Sequence, residues 1–177
     1  EVMEDDVVTA IVLGCGANAI ETRILIDPAG VVFDSRTNLP LAGATVRLID
    51  VTGAGNGGNA GGPAVVFQAD GQTAAPSTVT TDANGRFRFP LVAPSLYRLS
   101  VTPPAGYLFP SALPASAFAA GRTIDAAGSY GGDFPVNAAT GAVTLDVPLD
   151  IDASGHLFVQ KSASRSLAEV GEFIDYT

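Results

Sequence analysis

The chain contains no tryptophan and only one histidine, one cysteine and one lysine in 177 residues. Each scarcity closes off a chemistry. A lone histidine, His156, excludes a multi-histidine zinc centre and leaves a single side chain as a candidate general base. A lone cysteine, Cys15, excludes an intrachain disulfide; flanked by Gly14 and Gly16, it reads as a small buried thiol or, more sharply, as an intermolecular link. Without tryptophan, and with Phe87, Phe89 and Tyr97 patterned for a core, little is left to stack on a sugar ring. No Gly-x-Ser-x-Gly elbow is present. The glycine-rich stretch 53–62 lacks Gly-Lys-Ser/Thr and opens no helix, so it is not a phosphate loop. Long hydrophobic runs are also missing. The longest uncharged apolar stretch, residues 7–20, falls short of the ~18–20 residues that cross a bilayer. It follows Glu4, Asp5 and Asp6 rather than the basic segment that opens a signal peptide.

Charge is scarce and one-sided. Charged residues make up 15% of the chain, and the formal net charge is -9. Such a surface repels a phosphate backbone, which argues against nucleic-acid binding, while it suits solubility and loose association with divalent cations. No catalytic constellation emerges, and the expectation is a protein that is not an enzyme.

Turn formers and alternating strands are abundant. Twenty glycines and twelve prolines suit short strands joined by loops. Residues 7–13 are apolar and β-branched, one strand. Residues 21–26 alternate, with Ile24 and Ile26 on one face. Asp27-Pro28-Ala29-Gly30 reads as a turn, followed by a short strand at 31–33. Ala44, Val46 and Leu48 point one way, Thr45 and Arg47 the other. The Gly/Asn stretch 53–62 reads as too flexible to pack, and 65–67 as an edge strand. Asp82-Ala83-Asn84-Gly85 carries Asn-Gly, the strongest short hairpin signal, because both residues tolerate positive φ. Phe87 and Phe89, then Tyr97, Leu99 and Val101, share one face. Residues 111–130 have no clean period; a short helix near 115–120 and a long loop are both compatible. Val143, Leu145, Val147, Leu149 and Ile151 form the cleanest period-two run, with Thr144, Asp146 and Asp150 opposite. A further strand is expected over 156–161. No helical period is sustained, so the fold class is all-β, an antiparallel sandwich.

Four phrases in order resemble a known family. They are Pro40-Leu41-Ala42-Gly43-Ala44-Thr45-Val46-Arg47-Leu48, Thr81-Asp82-Ala83-Asn84-Gly85-Arg86-Phe87-Arg88-Phe89, Tyr97-Arg98-Leu99-Ser100-Val101 and Pro104-Ala105-Gly106-Tyr107. Together they resemble the carboxypeptidase-regulatory-like and collagen-adhesin B-type modules, over about residues 24–110. The resemblance implies an immunoglobulin-like or transthyretin-like sandwich on an extracellular or cell-surface bacterial protein. Many B-type modules form a Lys–Asn isopeptide bond, but no lysine lies in residues 1–160, so the central module cannot form one by itself. Residues 157–177 are similar to the opening of conserved-repeat domains of long bacterial surface proteins. In that setting Lys161 becomes an isopeptide lysine with a partner beyond Thr177; the plainer alternative is a surface lysine.

The expected organisation is an end strand of a preceding domain, or an added strand, over 1–22. A sandwich module follows over 23–155, with its core at 24–110 and a loop and strand extension at 111–155. A following repeat domain starts over 156–177. Both ends read as cut from a longer polypeptide. The expected function is a non-catalytic structural module of a large secreted bacterial surface or fibre protein, with neighbouring domains as partners. One alternative is an adhesive module using loops 53–62 and 111–130. Another is a filament subunit whose identical copies exchange strands through Val7, Val8, Ile11 and Leu13 or through Leu157 and Val159. Calcium is the one cofactor with any support. Asp150, Asp152 and Ser154 match the first half of a D-x-D-x-S-G loop, but Lys161 stands where an EF-hand needs its bidentate Glu. Asp82 and Asn84 form a similar pair; for both, a plain turn is the competing reading.

Overall fold

The computed structural model describes residues 26–118 and 121–153. Among the described residues thirteen strands follow one another: β1 Pro28–Asp34, β2 Thr45–Asp50, β3 Gly62–Pro63, β4 Val66–Phe67, β5 Ala74–Ala75, β6 Thr78–Thr80, β7 Arg86–Arg88, β8 Leu91–Val92, β9 Ser95–Thr102, β10 Tyr107–Leu108, β11 Asp133–Val136, β12 Val143–Thr144 and β13 Val147–Ile151. Among the described residues the only helical pieces are 3-10 turns at Ala115–Ala117 and Gly128–Tyr130. The all-β sandwich expected from the alternating runs is therefore present.

One sheet runs β10-β13-β1, with β12 and β7 also pairing with β1. The second runs β11-β9-β2-β3, with β6 also pairing with β2. A small third sheet is ordered β5-β4-β8. The ladders are antiparallel except the two that β1 makes with β12 and β13, which are parallel. Strands β11, β12 and β13 complete both large sheets.

The core follows the period-two patterns. Ala44 just before β2, Val46 and Leu48 of β2, and Tyr97 and Leu99 of β9 are buried against Val32, Phe87, Phe89, Phe134, Leu145, Val147 and Leu149. Burying each large apolar side chain stabilises the fold by about 1.5–3 kcal/mol. Tyr97 is fully buried and keeps its hydroxyl satisfied by donating to the Ala93 carbonyl at 2.7 Å, as an enclosed phenol requires.

Several local expectations need correction. Residues 27–30 do not turn: Pro28 starts a continuous strand, a position where its missing N–H costs nothing. Gly30 serves close approach instead, since a Cβ there would lie 1.9 Å from the Leu145 carbonyl oxygen. The Asp82–Gly85 turn forms, with Gly85 N–H donating to the Asp82 carbonyl at 2.9 Å. However, β6 joins β2 and β7 joins β1, so the turn is a corner between sheets rather than a hairpin within one. Of its Asn-Gly pair only Gly85 takes positive φ, at 70°. The 53–62 loop is packed rather than loose, with Gly53 and Gly55 buried. Strand β4 is central in its small sheet, not an edge. The 143–151 run is broken into β12 and β13, Ile151 is 43% exposed, and Asp146 on the expected outer face is buried.

Candidate functional site between the first and last described strands

Strand β1 enters the structure at Pro28, and β13 leaves it at Ile151. They lie side by side and parallel, with Val32, Phe33 and Asp34 opposite Val147, Pro148 and Leu149. Val32, Phe33, Val147 and Leu149 are all buried, so this pair of strands is covered on both faces.

The ladder is completed by side chains. At its start Leu145 N–H donates to the Ala29 carbonyl at 2.8 Å. The strand then breaks between β12 and β13, and the Asp146 carboxylate fills the gap. Its Oδ1 accepts the Val31 N–H and its Oδ2 the Thr123 N–H, both at 2.9 Å. The Asp146 N–H in turn donates to the Thr123 carbonyl at 2.8 Å. One buried residue thus ties β1, β13 and the 121–127 segment together. At the far end Ser35 N–H donates to the Leu149 carbonyl at 2.9 Å, and the Ser35 hydroxyl donates to Asp150 Oδ1 at 2.6 Å. Asp150 also accepts the Ser111 hydroxyl at 2.6 Å and the Ala112 N–H at 2.7 Å.

Asp34 closes the same pole. Its Oδ1 accepts the N–H groups of Arg36 and Thr37, and its Oδ2 the Tyr107 hydroxyl at 3.1 Å. Burial pushes both carboxyls up, but the donors aimed at them outweigh it. The Thr37 and Arg36 amides with the Tyr107 hydroxyl hold Asp34 below the ordinary value, and the Ser111 and Ser35 hydroxyls with the Ala112 amide do the same for Asp150. Tyr107 is pushed up by burial and by its bond to Asp34. The other edge of β1 is held as well, by Val32 N–H on the Gly85 carbonyl and Leu41 N–H on the Val32 carbonyl, both at 2.8 Å. Among the described residues no buried side-chain polar atom is left without a partner.

The sequence-derived site residues fall in separate places. Asp82 Oδ1 accepts the N–H groups of Asn84 and Arg86, both at 2.9 Å, within the corner turn. Asp150 belongs to the β13 pole, and Asp152 N–H donates to the Gly106 carbonyl at 2.8 Å. Among the described residues no three His, Cys, Asp or Glu side chains cluster in a way that could hold a metal. Val7, Val8, Ile11, Leu13, Cys15, Ser154, His156, Leu157, Val159 and Lys161 lie outside the described residues. Sequence reasoning passed over Asp34 and Asp146; the signal available was an aspartate at each end of an apolar strand.

No protein-family model matches the chain. No curated protein matches it either. Among solved structures it is similar to a streptococcal ancillary pilin, at TM-score 0.45 and 17% identity over 75% of this chain and 31% of that one. It is also similar to the group B streptococcus pilus 2b backbone protein, at TM-score 0.46 and 15% identity over 72% of this chain and 42% of that one. A third is the C-terminal domain of shaft pilin SpaA from Lactobacillus rhamnosus GG, at TM-score 0.41 and 16% identity over 72% of this chain and 98% of that domain. The chain thus spans less than half the length of the first two. Its own ladders and core define its fold. No helix among the described residues is long and apolar enough to cross a membrane.

Proposed function

We propose that this chain is a non-catalytic structural module of a large secreted bacterial surface or fibre protein, and that it carries tension between its neighbours through β1 and β13. The observation that supports this reading is the parallel adjacency of β1 and β13, the first and last strands among the described residues. A parallel neighbour places the start of β1 and the end of β13 at opposite ends of one ladder. Tension applied at both ends then runs along the strands, and the rungs share it in shear. In an antiparallel terminal pair the same tension would open the rungs one at a time. Each rung contributes only about 0.5–1.5 kcal/mol, so sharing the load decides the resistance. The carboxylate rungs at Asp146 and Asp150 extend this ladder across the break and past its end. The four phrases resembling extracellular spacer modules point the same way, with the neighbouring domains of the polypeptide as partners.

Single-molecule stretching of the chain between reference domains tests the proposal. The expected result is one cooperative unfolding step for the folded segment. Its force should be well above that seen when the same protein is pulled from two positions that peel β1 away. Equal forces along the two axes, or stepwise loss from one end, would overturn the tension-carrying role.

A further inference from the structure

The outer face of the second sheet carries a regular set of unengaged polar groups. Val46 stands opposite Val79 of β6 and Val101 of β9, and all three side chains turn toward the core. By the alternation of a strand, their neighbours turn outward. The register then forms two rows. Thr45 stands between Thr80 and Thr102, and Arg47 between Thr78 and Ser100. Neighbouring strands lie about 4.7–4.9 Å apart and the two rows about 6.6–6.8 Å. Thr45 is half-buried and the other five side chains are exposed. Among the described residues, the five hydroxyls and the Arg47 guanidinium have no hydrogen-bond or ion-pair partner.

Each hydroxyl both donates and accepts, whereas the guanidinium offers five donors and no acceptor. The rows therefore suit a polymer with hydroxyls at short, regular intervals, and the centre of the second row suits a carboxylate. Asp133, the acid on the same face, is not free to serve: Arg98 holds it at 2.7 Å. The charged outward side chains of β2, β6, β9 and β11 are Arg47, Arg98 and Asp133. They leave a local surplus of one positive charge on a chain of formal net charge -9. Threonine favours strands for its branching, but an exposed arginine without an acid does not follow from that. We propose that this face binds an extended polysaccharide bearing carboxylates. Arg47 holds one carboxylate through paired N–H groups, and the hydroxyls of both rows bond the hydroxyls of the sugars. No aromatic side chain points outward from these four strands to stack on a sugar ring, so binding rests on hydrogen bonds and one charge and is weak. It uses the sheet that does not contain β1 and β13, so it stands apart from the tension-carrying role.

Titration of the isotopically labelled full chain with oligogalacturonate, followed by nuclear magnetic resonance at neutral pH, tests it. The methyl-esterified oligomer serves as the uncharged probe. Amide shifts should concentrate on β2, β6 and β9. The ester should bind about fivefold more weakly, the upper worth of an exposed charge pair. Arg47→Gln should lose the same factor toward oligogalacturonate and bind the two probes alike. Thr78→Val/Thr102→Val keeps the branched shape, removes two hydroxyls and should weaken both probes. Arg86→Gln, on the other sheet, should bind as wild type. All four residues are exposed, so melting temperatures are expected to hold. Should a variant fail to fold, the two probes on wild type still decide. Absence of shifts at millimolar oligogalacturonate, shifts centred away from these strands, equal binding of acid and ester by wild type, or loss of binding in Arg86→Gln would each overturn the proposal.

Discussion

Asp146 stands where the backbone of the last strand fails to reach the first: its Oδ1 accepts the Val31 N–H at 2.9 Å, 115 residues away in sequence. A carboxylate thereby substitutes for a carbonyl in the ladder. Its second oxygen secures Thr123, so one side chain spans the strand break and anchors Thr123 beside it.

Replacing Asp146 by Ala should therefore cost more than an ordinary surface change. The Val31 and Thr123 amides would lose their acceptor together, and a buried unsatisfied amide costs about 1–3 kcal/mol. Asp146→Asn keeps one acceptor oxygen but turns an NH2 toward the other amide, so it should recover only part of the loss. Urea unfolding midpoints of the three proteins measure this. A midpoint for Asp146→Ala within error of wild type would refute the role.

Acid should weaken the exit pole of the ladder. Asp34 and Asp150 are both held below the carboxylate value of 3.8 in the folded chain. A depressed folded value means the unfolded state binds protons first. The stabilisation is thus fully present above about pH 4 and is lost as pH falls through the lower, folded values. The groups facing them are the Ser35, Ser111 and Tyr107 hydroxyls and the Arg36, Thr37 and Ala112 amides, all donors that a protonated carboxyl no longer attracts as strongly. Thermal midpoints should stay nearly level from pH 7 to about 4.5 and fall below it. Asp150→Asn should be less stable at neutral pH and show a shallower decline. An unchanged slope in that variant would remove Asp150 from the account.

Gly30→Ala probes the close approach of β1 to Leu145. The added Cβ would stand 1.9 Å from a backbone oxygen and 3.0 Å from the Phe87 ring, so the strands must part. A loss of about 1–3 kcal/mol is expected, as for overpacking. Amide exchange should accelerate at Leu145, whose N–H bonds the neighbouring Ala29 carbonyl at 2.8 Å. Protection equal to wild type would show that the spacing is not critical.

Much of the core was legible because alternation is a local property. Val46 and Leu48, Phe87 and Phe89, and Tyr97 and Leu99 lie on the faces their spacing assigns, and all are buried. The sandwich class followed from the same patterns. Asp27-Pro28-Ala29-Gly30 misled because proline and glycine signal turns only on average. Here the proline opens a strand and the glycine makes room for Leu145. Asp146 was hidden for a related reason: an aspartate on the polar side of an alternating run looks solvated until the chain that covers it is known.

By itself, then, the sequence determined the class of fold, the inward faces of its strands, the presence of a turn at Asp82–Gly85 and the exclusions that follow from one histidine, one cysteine and one lysine. These depend on residue type and on spacing over a few positions. Only the tertiary structure decided which strands are neighbours. It set β1 parallel to β13, moved β6 and β7 into different sheets and placed Arg47 between Thr78 and Ser100. Those outcomes join residues far apart along the chain. Both sheets must close over one core, and that condition cannot be read from a local pattern.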